Sequence, residues 1–413
     1  MGKTIYSEPY KSCSMMGALR IAANFEKTVC VINGPAGCAF FCRNTVLQIN
    51  GYLHPLASSV KTNIYNIDFD EKDVIFGARD KLVKAVIQIE EELKPEMIFI
   101  FNCCVSEVIG EDLDEVVYEL SNKINALIIP VKTAGFKGDH KLGMRMMNEI
   151  LFDRLLNNLK RETVKRSVNI LGETDVFYST TKELRKILKE GNINILCQIP
   201  GRVDHEHIQN SINAELNIVI CGSASAVLAA KYEQNYGIPF IHGSGLYSIE
   251  RTFETYCKIY NFFKVPTESI KVKRNAALAE LGKYKKQLVG KTVFIIAGAR
   301  RAIGYAQIFK ELGMKVEYIF SESSPGYTEK EDFFKYTDDV TCDDWDINIR
   351  EKIRKEQPSL VISTIPEITM PIRTVSRLID DFSGFEGTID MAKYVGNLLD
   401  NKRGTVYWQT LEK

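Results

Sequence analysis

The residue whose position most clearly suggests chemistry is Cys38. It lies in the segment Gly34–Ala39, directly after the apolar run Val29–Ile32, which has the length and composition of a buried β-strand. Two glycines and a proline in this segment end the strand and allow the backbone to turn sharply. Because ligands of open α/β sheets bind at the carboxyl ends of the strands, we expect Cys38 to lie at a ligand-binding edge.

Two other cysteine sites share this pattern in part. The pair Cys103-Cys104 follows a second apolar run, Met97–Phe101, and Cys13 lies upstream of both. Thiolates gathered from strand ends suit a soft metal centre, and iron–sulfur clusters are held in this way. The sequence therefore raises a metal site as a hypothesis, and spacing alone does not choose between Cys103 and Cys104.

The composition is that of an ordinary globular protein and disfavours several classes of function. The chain has 413 residues, 45% of them hydrophobic, and its 53 basic residues balance 53 acidic ones. This balance offers no polybasic face for nucleic acid or anionic lipid. No apolar run reaches the roughly 18 residues of a membrane span, and Met1–Tyr6 lacks the apolar core of a signal peptide. We therefore predict a cytoplasmic protein with neither a membrane nor a nucleic-acid partner.

The cysteines are numerous, but most are not expected to be ligands. In a reducing compartment the ten thiols are not expected to form disulfides, and most should be small buried hydrophobic residues. Cys30 lies inside the first predicted strand and is assigned to the core. Cys42 follows Cys38 by one helical turn and is expected to be its neighbour on a helix.

Strand-like and helix-like runs alternate along nearly the whole chain, which is the pattern of parallel α/β domains. We predict three doubly wound, Rossmann-like domains around a central cofactor cleft, covering residues 1–165, 166–285 and 286–413. The predicted strands are Val29–Ile32, Met97–Phe101, Leu127–Val131, Val168–Leu171, Ile193–Gln198, Ile218–Cys221, Phe240–Ile241, Thr292–Ile296, Val316–Phe320 and Leu360–Ser363. The predicted helical stretches that matter here are Lys72–Glu92, Phe152–Val164 and Lys271–Leu288.

Three segments of the chain resemble the nitrogenase component 1 family: Cys13–Ala18, Gly34–Cys38 and Cys104–Asp112. Further matches follow in order at Gly135–Gly138 with Leu142-Gly143, Val168–Glu173, Asn217–Cys221 with Tyr236–Pro239, Ala297–Gly304 and Gly384–Gly387. The family includes the subunits of the molybdenum–iron protein, the two-subunit scaffold that matures its cofactor, and enzymes of protochlorophyllide reduction and coenzyme F430 synthesis. The resemblance does not fix which member this chain is.

The resemblance implies a cluster between two subunits. Cys13, Cys38 and Cys104 match the family's three thiolate positions for a [4Fe–4S] cluster, or for a larger P-cluster-like iron–sulfur cluster. Cys104 is preferred to its neighbour because the residues after it match the family at the family's spacing. The missing ligation would come from a second component 1 subunit, identical or homologous. Gly34 and Gly37 would let backbone amides approach the cluster.

The resemblance also implies a pocket for a second cluster. Cys221 matches the cysteine that binds one end of the large iron–sulfur cofactor, although a buried structural thiol is the alternative from the residues alone. Ser383 lies where the catalytic subunit has the histidine that holds the other end. Serine is a poor replacement for imidazole at such a metal. The sequence therefore disfavours molybdenum-dependent catalysis and favours a loosely held, transferable metallocluster or precursor, or some other reductive chemistry.

Arg300 and Arg301 lie in a glycine-containing loop, Gly298–Gly304, between a predicted strand and a predicted helix. The residues alone indicate a weak anion cradle, the resemblance places it around the anionic cofactor, and a solvated helix start is the alternative. The pair His205 and His207 could bind metal or gate the cavity, but its setting also fits a loop or the start of a helix.

The sequence contains no Gly-x-x-x-x-Gly-Lys-Ser/Thr motif, so we expect ATP to be hydrolysed by a partner iron protein that delivers electrons. We interpret the chain as a nitrogenase component 1-like iron–sulfur protein that accepts these electrons and holds a metallocluster, as a maturation scaffold or as a low-potential reductase. The alternative is a reductase of an organic or tetrapyrrole substrate. The residues identify no catalytic side chain, and they leave open whether the chain is an enzyme.

Overall fold

The computed structural model describes residues 12–50, 63–172, 178–220, 222–243, 246–322, 333–342, 349–363, 374–376 and 382–400. The chain divides into two compact units. The first unit comprises Met1–Val176, Ile195–Asn217 and Ala224–Phe240, and the second comprises Phe177–Asn194, Ile218–Ser223 and Ile241–Lys413. Within the residues described, no helix has the length and apolar character that crossing a lipid bilayer requires.

The first sheet is parallel and has the strand order β2-β1-β3-β4. Its strands are β1 (Thr28–Asn33), β2 (Ile64–Asn66), β3 (Met97–Asn102) and β4 (Leu127–Val131). The helices of this part are α1 (Ser14–Ala22), α2 (Ala36–Asn50), α3 (Glu71–Phe76), α4 (Arg79–Leu93), α5 (Cys104–Val108), α6 (Leu113–Leu120) and α7 (His140–Leu151). Every residue of β1 and β3 is buried, which explains why both strands are continuous apolar runs in the sequence.

The second sheet has the strand order β6-β5-β7-β8. Its strands are β5 (Ser167–Leu171), β6 (Asn194–Ile199), β7 (Leu216–Val219) and β8 (Phe240–His242). The helices of this part are α8 (Tyr178–Glu190), α9 (His205–Asn210), α10 (Gly222–Tyr236), α11 (Ile249–Phe262) and α12 (Glu268–Leu288). The charged helix predicted at Lys271–Leu288 is thereby confirmed as most of α12.

The third sheet is parallel and has the strand order β11-β10-β9-β12-β13. Its strands are β9 (Thr292–Gly298), β10 (Lys315–Glu322), β11 (Val340–Cys342), β12 (Leu360–Ser363) and β13 (Thr374–Ser376). The helices of this part are α13 (Ala299–Glu311), α14 (Ile349–Glu356) and α15 (Gly384–Asp400). Three α/β sheets in chain order confirm the predicted fold class, whereas the three domain boundaries and the central cleft stay predictions.

One predicted helix is two helices. The stretch Lys72–Glu92 is interrupted at Gly77, which adopts a φ of 86° and ends α3. Val74 lies in α3, before the break, so it is exposed to solvent and is not part of the buried face of α4. Apolar residues keep a helical spacing on both sides of Gly77, so the sequence pattern predicts one continuous helix.

A second predicted helix is shorter than expected. The stretch Phe152–Val164 is helical only over Phe152–Leu156, a π-helical turn that continues α7. Asn157 has extended backbone and ends the turn. The charged residues that follow have a helix-like composition, but they form a connection to β5 instead of the predicted helix.

Candidate metal centre and ligand pocket

Cys13 is positioned by backbone pairing between the start of α1 and the segment before α7. It forms a bridge with Asp139, and the Ser14 amide donates to the carbonyl of Gly138 at 2.9 Å. The buried Ser14 hydroxyl also donates to the carbonyl of Ala134 at 2.7 Å. Cys13 is the N-cap residue of α1 and is half-buried, so its position depends on the loop that follows β4.

Two glycines allow α1 and α7 to cross with their backbones in contact. A Cβ on Gly17 would lie 1.9 Å from the carbonyl oxygen of His140, and a Cβ on Gly143 would lie 1.7 Å from that of Ser14. No other residue leaves space for such an approach. The crossing therefore fixes the start of α1, and with it Cys13, against α7.

We expect Gly143→Ala to destabilise the protein by about 2 kcal/mol or more, because a side chain inserted into a closed contact forces backbone shifts. Chemical unfolding of the purified protein measures the change. Gly37→Ala is the matched control, since a Cβ on Gly37 would meet nothing within 4 Å. Equal stability of the two variants would contradict the contact between α1 and α7.

Cys38 and Cys104 lie at helix starts that follow neighbouring strands. Cys38 is in the first turn of α2, which follows β1, and Cys104 is the first residue of α5, which follows β3. The carboxyl ends of these strands are joined by Asn33, whose side-chain amide donates to Asn102 Oδ1 at 3.0 Å. Both thiols are half-buried, and the parallel sheet brings them to one edge as predicted.

A turn at Gly135–Lys137 connects Cys104 with Cys13. A Cβ on Gly135 would lie 3.0 Å from the Cys104 sulfur and 3.2 Å from the Cys13 sulfur. Lys137 Nζ is paired with Glu107 Oε1 at 2.5 Å, which ties the turn to α5. The two sulfurs therefore border one space, which the missing side chain of Gly135 leaves open.

Cys103 has a different environment from Cys104. It is fully buried, and a Cβ on Gly34 would lie 2.3 Å from its sulfur, so Gly34 makes room for this thiol. A hydrogen bond with Cys38 is the main cause that lowers the pKa of Cys103 to about 6, against the effect of burial. The amides and the hydroxyl at the start of α5 act in the same direction, and Ser106 Oγ lies 3.6 Å from the sulfur.

The neighbouring thiols affect Cys38 in the opposite sense. The hydrogen bond with Cys103, followed by burial, raises the pKa of Cys38, and the proximity of Cys42 and Cys104 adds to the rise. Burial raises the pKa of Cys42 to about 12. Cys42 shares α2 with Cys38, and Cys30 is buried in β1, as predicted. A metal that binds Cys38 must therefore displace its proton.

The arrangement fits an iron–sulfur cluster better than a single metal ion. Across the described ranges, no three Cys, His, Asp or Glu side chains surround one metal-ion position. Instead, Cys13, Cys38 and Cys104 provide three half-buried thiols from the starts of three different helices. A cubane cluster, which takes one thiolate for each iron atom, requires donors that are spread in this way. Three such thiolates leave one of the usual four ligands to be supplied.

The structure describes only some of the residues that are predicted to form the pocket. Cys221 lies outside the described residues, and of Arg300 only the backbone, in the first turn of α13, is described. Arg301 is half-buried, and its Nε donates to the hydroxyl of Tyr247 at 3.5 Å. Ser383 directly precedes α15 and is 5% exposed. The strand and the helix predicted around the two arginines are confirmed by β9 and α13, but the loop predicted between them is wrong, because α13 begins at Ala299, directly after β9.

A segment that the sequence did not single out connects these elements of the second unit. The Leu246 carbonyl accepts a hydrogen bond from the Gly384 amide at 2.6 Å, next to Ser383. The next residue, Tyr247, is fully buried and contacts Arg301. The first turns of α13 and α15 therefore both contact the short segment Leu246-Tyr247, α13 through the Tyr247 side chain and α15 through the Leu246 carbonyl. This is a tertiary contact, and no sequence motif predicts it.

The histidine pair lies at the start of α9 and is explained by a helix cap. The carboxylate of Asp204 accepts from the His207 amide at 3.1 Å and pairs with His207 Nδ1 at 2.7 Å. The side-chain hydrogen bond with His207 is the main cause that lowers the pKa of Asp204 to about 2, and it raises the pKa of His207. A gating role of His205 and His207 stays a prediction.

We expect Asp204→Ala to lower stability at neutral pH by about 1 kcal/mol, the usual cost of a lost helix cap. Because the folded pKa of Asp204 is below its ordinary value of 3.8, its contribution is present above that value and is lost as the pH falls through 2. The raised pKa of His207 gives a contribution that is present below 6.5 and is lost as the pH rises through the folded pKa.

Thermal unfolding of the wild type and of Asp204→Ala across the acid and neutral range measures this dependence. The difference between the two proteins should narrow at both ends of the range. A difference that does not change with pH would show that the cap contributes without its charge.

Comparison with known families decides to which one the chain belongs. A family model described as nitrogenase component 1 type oxidoreductase matches residues 13–400. The chain belongs to this family. The match begins at Cys13 and contains every residue predicted for the cluster and the pocket, which confirms the resemblance found in the sequence.

Among the curated relatives in the component 1 family are nitrogenase iron-molybdenum cofactor biosynthesis proteins named NifE. The protein of Clostridium pasteurianum is 28% identical over 81% of this chain and 72% of its own length. The protein of Methanococcus maripaludis (strain DSM 14266) is 27% identical over 93% of this chain and 82% of its own length. A nitrogenase molybdenum-iron protein alpha chain from Methanothermobacter marburgensis is 24% identical over 93% of this chain and 86% of its own length.

A solved component 1 structure has the same fold. It is described as nitrogenase Cp1 at pH 5 and superimposes with a TM-score of 0.80, covering 97% of this chain and 91% of that one. At 20% sequence identity, this likeness establishes the architecture alone.

Proposed function

We propose that this chain is a component 1-like scaffold that binds an iron–sulfur cluster through Cys13, Cys38 and Cys104 and holds a second, transferable metallocluster during cofactor maturation. The convergence of three half-buried thiols at one edge of the first sheet is the observation that carries the proposal. The similarity to cofactor biosynthesis proteins named NifE supports the scaffold role. A serine at position 383, where imidazole would bind metal more strongly, supports loose retention.

An iron–sulfur cluster at this edge would supply one-electron transfer at low potential. The residues of the chain prepare the site for it. Cys38 is held against Cys103 at the end of β1, and Cys13 and Cys104 border the space beside Gly135. Lys137 pairs with Glu107 on α5, which holds the turn beside these two thiols in place.

The edge that carries the thiols also supports a second component 1 subunit as a partner. Exposed apolar side chains occur on α2, on α5 and in the turn before α7, at Phe40, Phe41, Val108 and Phe136. Large apolar side chains left in solvent are typical of protein–protein interfaces. In this proposal the partner, identical or homologous, covers the edge and supplies the remaining cluster ligand.

The tip of α3 supports docking of an electron donor, an ATP-hydrolysing iron protein. Phe76 is 84% exposed, and its neighbour Ile75 is exposed as well. The tip is attached to the thiol-bearing edge, because the Ala78 amide donates to Glu111 Oε1 at 2.5 Å and Glu111 follows α5. A donor that docks on this apolar tip would lie near the cluster, which would shorten the distance for electron transfer.

We expect Phe76→Ala to slow reduction of the cluster by the iron protein about tenfold, as the loss of an interface anchor typically does. The rate of cluster reduction in the presence of ATP, followed by absorbance, is the measurement. Tyr118→Ala is the matched control, since Tyr118 on α6 is 79% exposed. The iron content should be unchanged in both variants. Equal slowing in both would argue against docking at the tip of α3.

The scaffold proposal is tested on protein purified without oxygen from cells that also make its maturation partners. We expect iron and acid-labile sulfide, the EPR signal of a reduced iron–sulfur cluster, and a mass of at least a dimer by light scattering. Protein without iron or sulfide under these conditions would overturn the proposal. A monomer that keeps its full iron content would contradict completion of the cluster across an interface.

A further inference from the structure

Glu111, in the loop between α5 and α6, is a carboxylate that the proposed cluster ligation does not use. Its Oε1 accepts a hydrogen bond from the Ala78 amide at 2.5 Å. Ala78 is the N-cap residue of α4, and an alanine has no side-chain oxygen that could bind the amides of a helix start. Glu111 therefore holds the chain where α4 begins, from another part of the first unit.

The turn between α3 and α4 is closed against the same carboxylate. Gly77 has a φ of 86°, which favours glycine, and a Cβ there would lie 3.0 Å from Glu111 Oε1. The Gly77 amide donates to the Asp73 carbonyl at 2.9 Å, which ends α3. Gly77 directly follows Phe76, so the backbone that carries this exposed side chain is fixed by Glu111 within two residues.

The backbone of Glu111 is bonded to the carboxyl end of the first sheet. Its carbonyl accepts from Asn102 Nδ2 at 2.9 Å, and its amide donates to the Ser106 carbonyl at 3.0 Å. Asn102 ends β3, and its Oδ1 accepts from the side chain of Asn33, which ends β1. Both asparagines are buried. Hydrogen bonds that are shielded from water in this way give a rigid connection.

The same series of hydrogen bonds reaches the thiols. The Asn33 carbonyl accepts from the Cys103 amide at 3.3 Å and from the Ser106 hydroxyl at 2.7 Å. Cys104 follows as the first residue of α5, the helix that leads to Glu111. Glu111 thus connects the exposed tip of α3 to the edge at which the thiols lie, through buried polar groups.

We propose that Glu111 is a positioning residue for electron delivery: it fixes the tip of α3 against the thiol-bearing edge, so that a donor docked on Phe76 is aligned with the cluster. This inference rests on the proposed function, in which an iron protein docks at that tip. Electron transfer slows steeply as the distance between donor and acceptor grows. A tip that could move would therefore lower the rate even when the donor is bound.

Amide hydrogen exchange, measured by mass spectrometry on the metal-free protein, tests the restraint itself. We expect Glu111→Ala to raise exchange in peptides that contain Gly77 and Ala78, because the Ala78 amide loses its acceptor. The matched control is Asp112→Ala: Asp112 is the next residue and accepts from the Asp114 amide at 2.9 Å, at the start of α6. Unchanged exchange at Ala78 in Glu111→Ala, or an equal rise in both variants, would overturn the assignment.

Reduction of the cluster by the iron protein with ATP separates positioning from docking. At saturating iron protein, we expect Glu111→Ala to lower the rate about tenfold, since a displacement of about 1 Å can cost up to about 100-fold. Asp112→Ala should keep the wild-type rate. Glu111→Gln keeps a carbonyl oxygen for the Ala78 amide and should restore most of the rate. Iron content and EPR spectrum should be the same in all variants, and loss of iron in Glu111→Ala would overturn a role in positioning alone.

The double variant Phe76→Ala with Glu111→Ala tests whether the effect passes through the tip. If it does, the two losses should not multiply, because residues that act through one contact are not additive. A loss of about 100-fold, the product of the two, would overturn the positioning role. Equal slowing in Glu111→Ala and Asp112→Ala would overturn it too, and would leave the donor proposal standing. A wild-type cluster that the iron protein does not reduce would overturn the proposed donor, and the positioning role with it.

Discussion

Replacing Cys104 by alanine is expected to remove most of the iron of the interface cluster, whereas replacing Cys103 by alanine is expected to leave most of it. The Cys104 sulfur is half-buried and borders the same space as Cys13, beside Gly135. The Cys103 sulfur is fully buried behind Gly34. In our proposal the cluster takes part of its ligation from a facing subunit, so the loss of one of its three thiolates should release iron.

The measurement is iron and acid-labile sulfide per chain after purification without oxygen, together with the EPR spectrum of the reduced protein. Each of these cysteines is the control for the other, because they are adjacent in sequence and differ in burial. Retention of iron in Cys104→Ala and its loss in Cys103→Ala would transfer the ligand role to Cys103. Loss in both would show that the hydrogen bond between Cys103 and Cys38 is required for the site.

Cys221→Ala is expected to abolish binding in the pocket while the interface cluster remains. Cys221 lies outside the described residues, but it follows Ile220, which is buried, in the second unit. The three interface cysteines all belong to the first unit, so the two ligand sets do not share an element. In our proposal Cys221 is the soft ligand of the pocket, and without it the predicted lining offers a hydroxyl and guanidinium groups, which bind a sulfide-rich cluster weakly.

The experiment uses protein made beside its maturation partners and compares iron, sulfide and EPR spectra of the wild type, Cys221→Ala and Ser383→His. We expect Ser383→His to retain the pocket cluster longer, because imidazole is a stronger ligand than a hydroxyl for such metals. Unchanged metal and unchanged spectra in Cys221→Ala would end the cluster interpretation of the pocket. They would favour the organic or tetrapyrrole substrate, which titration with a tetrapyrrole would then test.

Much of the fold could be predicted because several of its strands are continuous apolar runs in the sequence. β1, β3 and β12 are buried along their full lengths, and a strand covered on both faces must be a continuous apolar run. The end of each run then locates the edge at which Cys38 and Cys104 lie. Short edge strands such as β2 and β13 are not predicted from the sequence, because three residues are too few to show an apolar or alternating pattern.

The parts that could not be predicted depend on contacts between distant residues. Glu183 lies in a charged stretch of α8 and would be assigned to solvent from its neighbours alone. It is buried instead, and its carboxylate accepts hydrogen bonds from the amides of Phe385 and Glu386, which are about half the chain away. The position of Cys13 likewise depends on its bridge with Asp139 rather than on any local motif. Residue patterns describe local geometry, whereas these contacts are decided by how whole helices pack.

The glycine crossing of α1 and α7 has a consequence for the order of assembly. Because the two backbones touch at Gly17 and Gly143, Cys13 cannot swing outward on a hinge to admit a preformed cluster and then close over it. A cluster, or the iron and sulfide from which it is built, would have to arrive through the open edge at which the three thiols lie. That is also the edge we assign to the second subunit. Loading would then precede the docking of that subunit or coincide with it, and a complex formed empty would be closed to its own cofactor.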